Sequence, residues 1–222
     1  VRDAALARER EALLDAIRDE ARLTARWTGR EAFAPAVLRA LAAVPREQFV
    51  PGHLRRHAYT NEPLPIGAGQ TISQPYIVAL MTDLIDPAPG DVVLDVGTGS
   101  GYQAAVLSLL VRQVYGIEVL ATLAEAAAAR LRDLGYLNAE VRAGDGNAGR
   151  PEHAPYDGII VAATGPAVPP ALIEQLRPGG RMVIPVGRHG GNQHLLRIVK
   201  DAAGQVHERS VLPVAFVPLV QR

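Results

Sequence analysis

The sequence contains no cysteine, which removes disulfides, thiolate metal ligands and cysteine nucleophiles together. That absence agrees with a reducing cytoplasm, the expected compartment. Excess charge of either sign is also missing: 23 Lys plus Arg stand against 23 Asp plus Glu, so no global field exists to hold nucleic acid or an anionic membrane. No apolar run approaches the ~18 residues that a membrane span requires. The first residues, VRDAALARERE, lack the basic block followed by an apolar block of a signal peptide. Neither nucleic acid nor membrane is therefore expected as a partner. The histidines form no cluster with acids at metal-ligand spacing. His53 and His57 stand four apart, but with Arg55 and Arg56 between them they read as a solvated face, and no metal is expected.

What is present is ordinary for a globular protein: 48% apolar and 21% charged residues in a chain of 222, enough for one large α/β domain with or without an appendage. Residues 1–60 read as an N-terminal helical extension packed on the core. One helix covers 1–26, with Leu6, Leu13, Leu14, Ile17 and Leu23 near helical spacing, and a second covers 33–43, with Val37, Leu38 and Leu41 on one side. VPREQFVPG (44–52) closes that preface. A loop over 60–74 leads to a helix from Pro75 to about Ile85, proline being a common first helical residue. From residue 91 short apolar runs alternate with helical stretches: DVVLDVG, QVYGIEV, AEVRAGDG, YDGIIVAAT and GGRMVIPVG are strands. Such alternation implies right-handed crossovers and a mainly parallel sheet with helices on both faces. HLLRIVK (194–200) and VLPVAFVPLV (211–220) read as an antiparallel hairpin at the sheet edge. Residues 61–222 form the main domain, and the chain is a single structural domain overall.

Open parallel sheets bind ligands beyond the carboxyl ends of their strands, and three such ends here are rich in glycine and acid. LDVGTGSG (94–101) lets the backbone turn sharply and approach a ligand, with the next helix aiming its N-terminus at it. Its glycines follow G-x-G-x-G, because Tyr102 stands where a dinucleotide fingerprint needs its third glycine. Asp95 beside the loop suits an ammonium or sulfonium and is unfavourable beside a pyrophosphate. Glu118 closes the second strand, where a carboxylate can accept both hydroxyls of a ribose. Asp145 in AGDG (143–146) can take the exocyclic amine of an adenine. Each has a plainer reading: a tight turn, an exposed strand-end acid, an Asp-Gly turn. One adenosine bearing a positively charged sulfur accounts for all three.

Ahead of the sheet lies GAGQTISQPYIVALMTDLI (67–85), in which Ser73 alone reads as an N-cap before Pro75. The series VLDVGTGSGYQAAVLS, VYGIE, GDG, APYDGIIVAAT and LRPGGRMVIPVG resembles the successive motifs of class I S-adenosylmethionine-dependent methyltransferases, whose Rossmann-like fold is then expected. More narrowly, VPREQFVP, LPIGAGQTISQPYIVALMTDLI, PVGRHGGNQ and FVPLV resemble the protein-L-isoaspartate O-methyltransferase family, with GQTISQP the most specific segment and the likeness running from about residue 31 to 220. The resemblance implies S-adenosylmethionine as methyl donor, S-adenosylhomocysteine as product, and methylation of the free carboxylate of L-isoaspartyl or D-aspartyl residues in damaged proteins and peptides. The ester then collapses to a succinimide, which makes the role protein repair. Carried onto this chain, the likeness makes Ser73 the active-site serine. It puts Gln74, Asp95, Gly97, Thr98, Gly99, Glu118, Asp145 and Gly146 against the cofactor. Thr71, Ile72, Ser73, Thr164 of ATGPAV (163–168) and Leu219 of the terminal VPLV would line the substrate groove.

A carboxylate is already ionised near neutral pH, so the reaction needs no general base. Ser73 is expected to orient the substrate by hydrogen bonding, since no Ser-His-Asp arrangement is readable to activate a nucleophile. The alternatives are a class I methyltransferase acting on RNA or a small molecule, and a non-catalytic module for damaged or C-terminal peptide ends. An enzyme acting on a base would carry an aromatic loop after the fourth strand, where this chain has VAATGP. A peptide-binding module could dispense with an intact cofactor site.

Overall fold

The computed structural model describes residues 2–220; Val1, Gln221 and Arg222, at the ends of the expected segments 1–26 and 61–222, lie outside the described residues. Helix α1 (Arg2–Thr28) buries Leu13, Leu14, Ile17 and Ala21 on one stripe. Leu23, expected on that stripe, is 76% exposed: six positions after Ile17, a 3.6-residue period rotates it about 120° away. Helix α2 (Pro35–Ala43) starts two residues later than expected because its first position is proline, whose fixed φ suits a helix start. Two 3-10 turns follow, Arg46–Gln48 and Gly52–His57, the second holding His53 and His57.

The segment 60–74 is not simply a loop. Strands β1 (Leu64–Gly67) and β2 (Gln70–Ile72) pair antiparallel, Leu64 opposite Ile72 and Pro65 opposite Thr71. Strands this short show no readable alternation, and the tight turn between them uses positive φ at Gly67, Ala68 and Gly69. Helix α3 (Pro75–Leu84) then leads into the sheet.

The remaining elements are β3 (Val92–Val96), α4 (Tyr102–Ser108), β4 (Gln113–Glu118), α5 (Ala121–Asp133), β5 (Ala139–Ala143), β6 (Tyr156–Val161), α6 (Pro170–Gln175), β7 (Leu176–Gly187), β8 (Gln193–Lys200) and β9 (Val206–Val214). The seven-stranded sheet has the order β5-β4-β3-β6-β7-β8-β9. Strands β3 to β7 pair parallel, and β8 and β9 add antiparallel at the edge. The chain winds outward from β3 through β4 to β5, then returns to the other side of β3 with β6. This reversal opens a crevice beyond the carboxyl end of β3.

The edge hairpin is present, but its second strand is 206–214 rather than 211–220. The apolar run misleads: the strand begins in the exposed, charged stretch VHERS, and the run leaves the sheet after Val214. Pro218 cannot donate to a ladder. Instead the chain folds back over the sheet end, where Thr164 N donates to Val217 O (2.8 Å) and Leu219 N to Thr164 O (2.7 Å).

The sheet is apolar on both faces, as parallel sheets are. On one side Leu94, Ile117, Ile159, Met182 and Ile198 pack with Leu172 of α6. On the other, Ile17, Val37, Phe49, Tyr76, Tyr102 and Leu107 form one cluster with Val114 and Val183, so the N-terminal helices share the main core. Among the described residues, no helix is long and apolar enough to cross a membrane, and no group of three or more His, Asp or Glu could hold a metal ion.

Candidate active site

A cavity of about 380 Å³ occupies the crevice. Its sheet wall begins where β3 ends. Gly97 and Gly99 take φ of +79° and +55°, the left-handed region that favours glycine, and Gly97 N donates to Ile117 O (2.8 Å). The loop thus folds back onto the neighbouring strand, where Thr98 N also donates to Ile117 O (3.3 Å). Glu118, at the tip of β4, is 5% exposed and tightens the same loop: Oε2 accepts from Gly99 N (2.9 Å) and Oε1 from Leu120 N (3.0 Å). A carboxylate has about four acceptor positions, so two remain for a ligand. Gly146, after β5, completes this wall. A Cβ there would lie 2.7 Å from Val96 Cγ1 and 3.0 Å from Leu219 Cδ1, so a larger residue would wedge the C-terminal segment off the sheet.

Of the three acids singled out in the sequence, only Glu118 lines the cavity. Asp95 lies beneath the glycine loop with no exposure, and both its carboxylate oxygens lack a hydrogen-bond partner among the described residues. Burial pushes its pKa up to about 7; Glu118 adds to the rise and the Thr98 hydroxyl opposes it. Asp145 is turned into its own loop, where Oδ1 accepts from Asn147 N (2.8 Å) and Nδ2 (3.0 Å).

The opposite wall comes from β2, the start of α3 and the segment 212–220; Thr71, Ile72, Ser73, Gln74 and Leu219 all line it. Ser73 does not cap α3. The N-cap position is Gln74, without a side-chain cap bond, and Asn61 Oδ1 accepts from Tyr76 N instead (2.9 Å). With capping delegated to Asn61, the Ser73 hydroxyl is left for a ligand. Thr164 does not line the cavity: its hydroxyl donates to Gly187 O (3.3 Å) and its main chain ties down residues 217–219. Gln193 also holds this segment, accepting from Phe216 N (2.7 Å) and donating to Phe216 O (3.1 Å).

Two residues here escaped the sequence reading. Arg46, inside VPREQFVPG, is 0% exposed, a rare state for arginine. Its guanidinium donates to Ala58 O (2.9 Å) and Ser73 O (2.9 Å) and lies 4.8 Å from the centre of the Tyr102 ring. Among the described residues no carboxylate pairs with it and Nη1 has no partner, and burial lowers its pKa. It clamps the Ser73 segment to the helix that follows the glycine loop. A charged residue between two prolines was its only signal, too weak to separate it from a surface turn. Glu20 of α1 lines the cavity and accepts from Asn61 Nδ2 (2.7 Å) and Gln74 Nε2 (3.0 Å); in the sequence it is one acid among many on a charged helix.

Among the described residues, no Lys, Arg or His lines the cavity. Two carboxylates and the uncommitted Ser73 hydroxyl suit a ligand carrying positive charge. No histidine stands there as a base among the described residues, so the site suits a reaction whose nucleophile arrives already ionised.

Residues 23–222 match the sequence profile of the protein-L-isoaspartate(D-aspartate) O-methyltransferase (PCMT) family. The chain is 55% identical over 203 residues to protein-L-isoaspartate O-methyltransferase 2 of Syntrophobacter fumaroxidans, covering 91% of this chain and 82% of that one. It is 54% identical over 218 residues to protein-L-isoaspartate O-methyltransferase 1 of Cupriavidus necator, covering 98% of this chain and 84% of that one. A solved structure named protein-L-isoaspartate O-methyltransferase superposes with a TM-score of 0.80 at 27% identity, covering 94% of this chain and 65% of that longer one.

Proposed function

Because the chain belongs to the protein-L-isoaspartate(D-aspartate) O-methyltransferase family, we propose that it is a protein-repair enzyme. It methylates the free carboxylate of L-isoaspartyl and D-aspartyl residues in damaged proteins and peptides. One observation carries this reading. The uncommitted Ser73 hydroxyl and the glycine loop tightened by Glu118 line the same cavity, so a methyl donor and a carboxylate can meet there. S-adenosylmethionine, when bound, supplies the methyl on a positively charged sulfur, and S-adenosylhomocysteine leaves.

The residues fit such a group. Glu118 keeps acceptor positions for ribose hydroxyls, the tight turn at Gly97, Thr98 and Gly99 lets the backbone lie close to a ligand, and Gly146 lets Leu219 pack against the loop where a Cβ would push it away. Asp145 is the candidate for an adenine amine, and Gln74 for the cofactor side of the opposite wall. Asp95, buried beneath the glycine loop with both carboxylate oxygens unpartnered among the described residues, does not touch the cavity, and an ammonium bound above the loop would draw it toward its ionised form.

Ser73 donates its hydroxyl to the substrate carboxylate and fixes its angle of approach. Thr71, Ile72 and Leu219 enclose the kinked backbone, and Thr164 holds the C-terminal wall in place. Positioning is the main contribution such a site can make, with ~7–11 kcal/mol available in favourable model systems. Ester collapse to the succinimide needs no side chain. The partners in this reading are damaged polypeptides, the compartment is the cytoplasm, and residues 1–60 are an extension packed on the methyltransferase core.

The test is incubation with methyl-labelled S-adenosylmethionine and two peptides differing only in aspartyl or isoaspartyl linkage. Base-labile label is expected in the isoaspartyl peptide alone. Equal labelling of both would remove the repair function while sparing the methyltransferase.

A further inference from the structure

The two carboxylates that line the cavity among the described residues are held differently. Glu118 is gripped by main-chain amides of its own loop, at the sheet wall. Glu20 stands on the opposite wall, on a helix to which the reaction gives no task, and its carboxylate rests on two neutral side-chain amides. Asn61 Nδ2 lies 2.7 Å away and Gln74 Nε2 3.0 Å from one oxygen and 3.3 Å from the other. Asn61 is itself fixed by accepting from Tyr76 N (2.9 Å), and α1 is locked to α3 by the Thr24–Tyr76 hydroxyl pair (2.6 Å). The charge is therefore held in place without being cancelled, beside Gln74 and one residue from Ser73.

We propose that Glu20 is a specificity residue for the peptide. It takes a cationic side chain next to the isoaspartyl unit and disfavours an acidic one. The inference rests on the reading of the reaction above, because that reading seats the substrate carboxylate at Ser73. A peptide so seated extends from Ser73 along a wall that carries an anion and, among the described residues, no cation. Between charges a few ångströms apart at a partly screened cavity edge, attraction and repulsion each amount to several-fold in an association constant. The preference should fade as salt screens it.

The experiment uses two isoaspartyl peptides identical except for Lys or Glu beside the isoaspartyl residue, assayed with the unaltered chain and with Glu20→Gln. The substituted side chain still accepts from Asn61, and the Gln74 amide can reverse to meet it, so the wall keeps its hydrogen bonds. The quantity read is the ratio of kcat/KM for the two peptides, which does not depend on how much of the variant folds. The unaltered chain is expected to favour the Lys peptide about tenfold in low salt. Glu20→Gln should bring the ratio within about twofold, and 0.5 M salt should move the unaltered chain the same way. An unchanged ratio in the variant overturns the proposal. So does an equal loss on both peptides accompanied by weaker S-adenosylhomocysteine binding, which would put Glu20 on the cofactor. If neither peptide is methylated by the unaltered chain, the reading of the reaction falls, and this inference with it.

Discussion

The sheet wall of the cavity draws Gly97, Thr98, Gly99, Glu118 and Gly146 from three consecutive strand ends, whereas the opposite wall gathers Glu20, residues 70–78 and the segment 212–220 from nearly the whole length of the chain. The first wall is local: each residue sits where a buried strand stops, and main-chain bonds such as Gly99 N to Glu118 hold it. The second depends on long-range side-chain ties: Arg46 to Ser73, Asn61 to α3, Gln74 to Glu20 and Gln193 to Phe216. The contrast teaches a division of labour. A wall made of strand ends is suited to a ligand common to a whole fold class, and a wall assembled from distant segments can be tuned to one substrate.

The most severe way to break this contrast is Arg46→Ala. It opens a cavity and strands the carbonyls of Ala58 and Ser73, so a loss of about 3–5 kcal/mol in urea unfolding is expected. Among the molecules that remain folded, kcat should fall while S-adenosylhomocysteine binding holds, because the anchor serves the Ser73 segment. Ser73→Ala comes next, with kcat expected to drop about 10–100-fold for the loss of one orienting hydrogen bond to an anion. Calorimetry should find S-adenosylhomocysteine affinity within about twofold; complete loss of binding would contradict the division. Glu118→Gln is the mirror experiment. It turns one acceptor oxygen into a donor group facing an amide, and should weaken S-adenosylhomocysteine about tenfold while leaving kcat at saturating donor nearly unchanged.

The smallest effect concerns pH. Burial raises Asp95 from 3.8 to about 7, so the folded, ligand-free chain keeps a proton that the unfolded chain has already released. Its contribution makes stability fall as pH rises from about 4 to about 7, with no further change above. A cationic ligand that favours ionised Asp95 should bind more tightly over that same interval, by at most tenfold per pH unit, with proton uptake by buffer measurable in calorimetry. Asp95→Asn should flatten both slopes.

The same contrast governs how much could be seen in the sequence. The five parallel strands, the glycine loop and Glu118 were legible because a buried strand is a short apolar run and its end is marked by glycine and acid. The hairpin of β1 and β2 was not, since neither strand is long enough to alternate. The run 211–220 looked like a strand because it is apolar. Its last third is apolar for another reason: it packs over Gly146 and lines the cavity with Leu219. Arg46 and Glu20 could not be found at all, because their roles lie in partners at Ser73 and Gln74, dozens of residues away. Asp95 and Asp145 could be placed near the site, but no local pattern says which way a carboxylate turns.

The most direct measurement is a crystal structure of the chain with S-adenosylhomocysteine. The division of labour predicts ribose hydroxyls on Glu118, the adenine beside Gly146 and the sulfur facing the Ser73 hydroxyl, with Glu20 untouched. A nucleoside seated against Ser73 and Glu20, leaving Glu118 to some other part of the ligand, would contradict it.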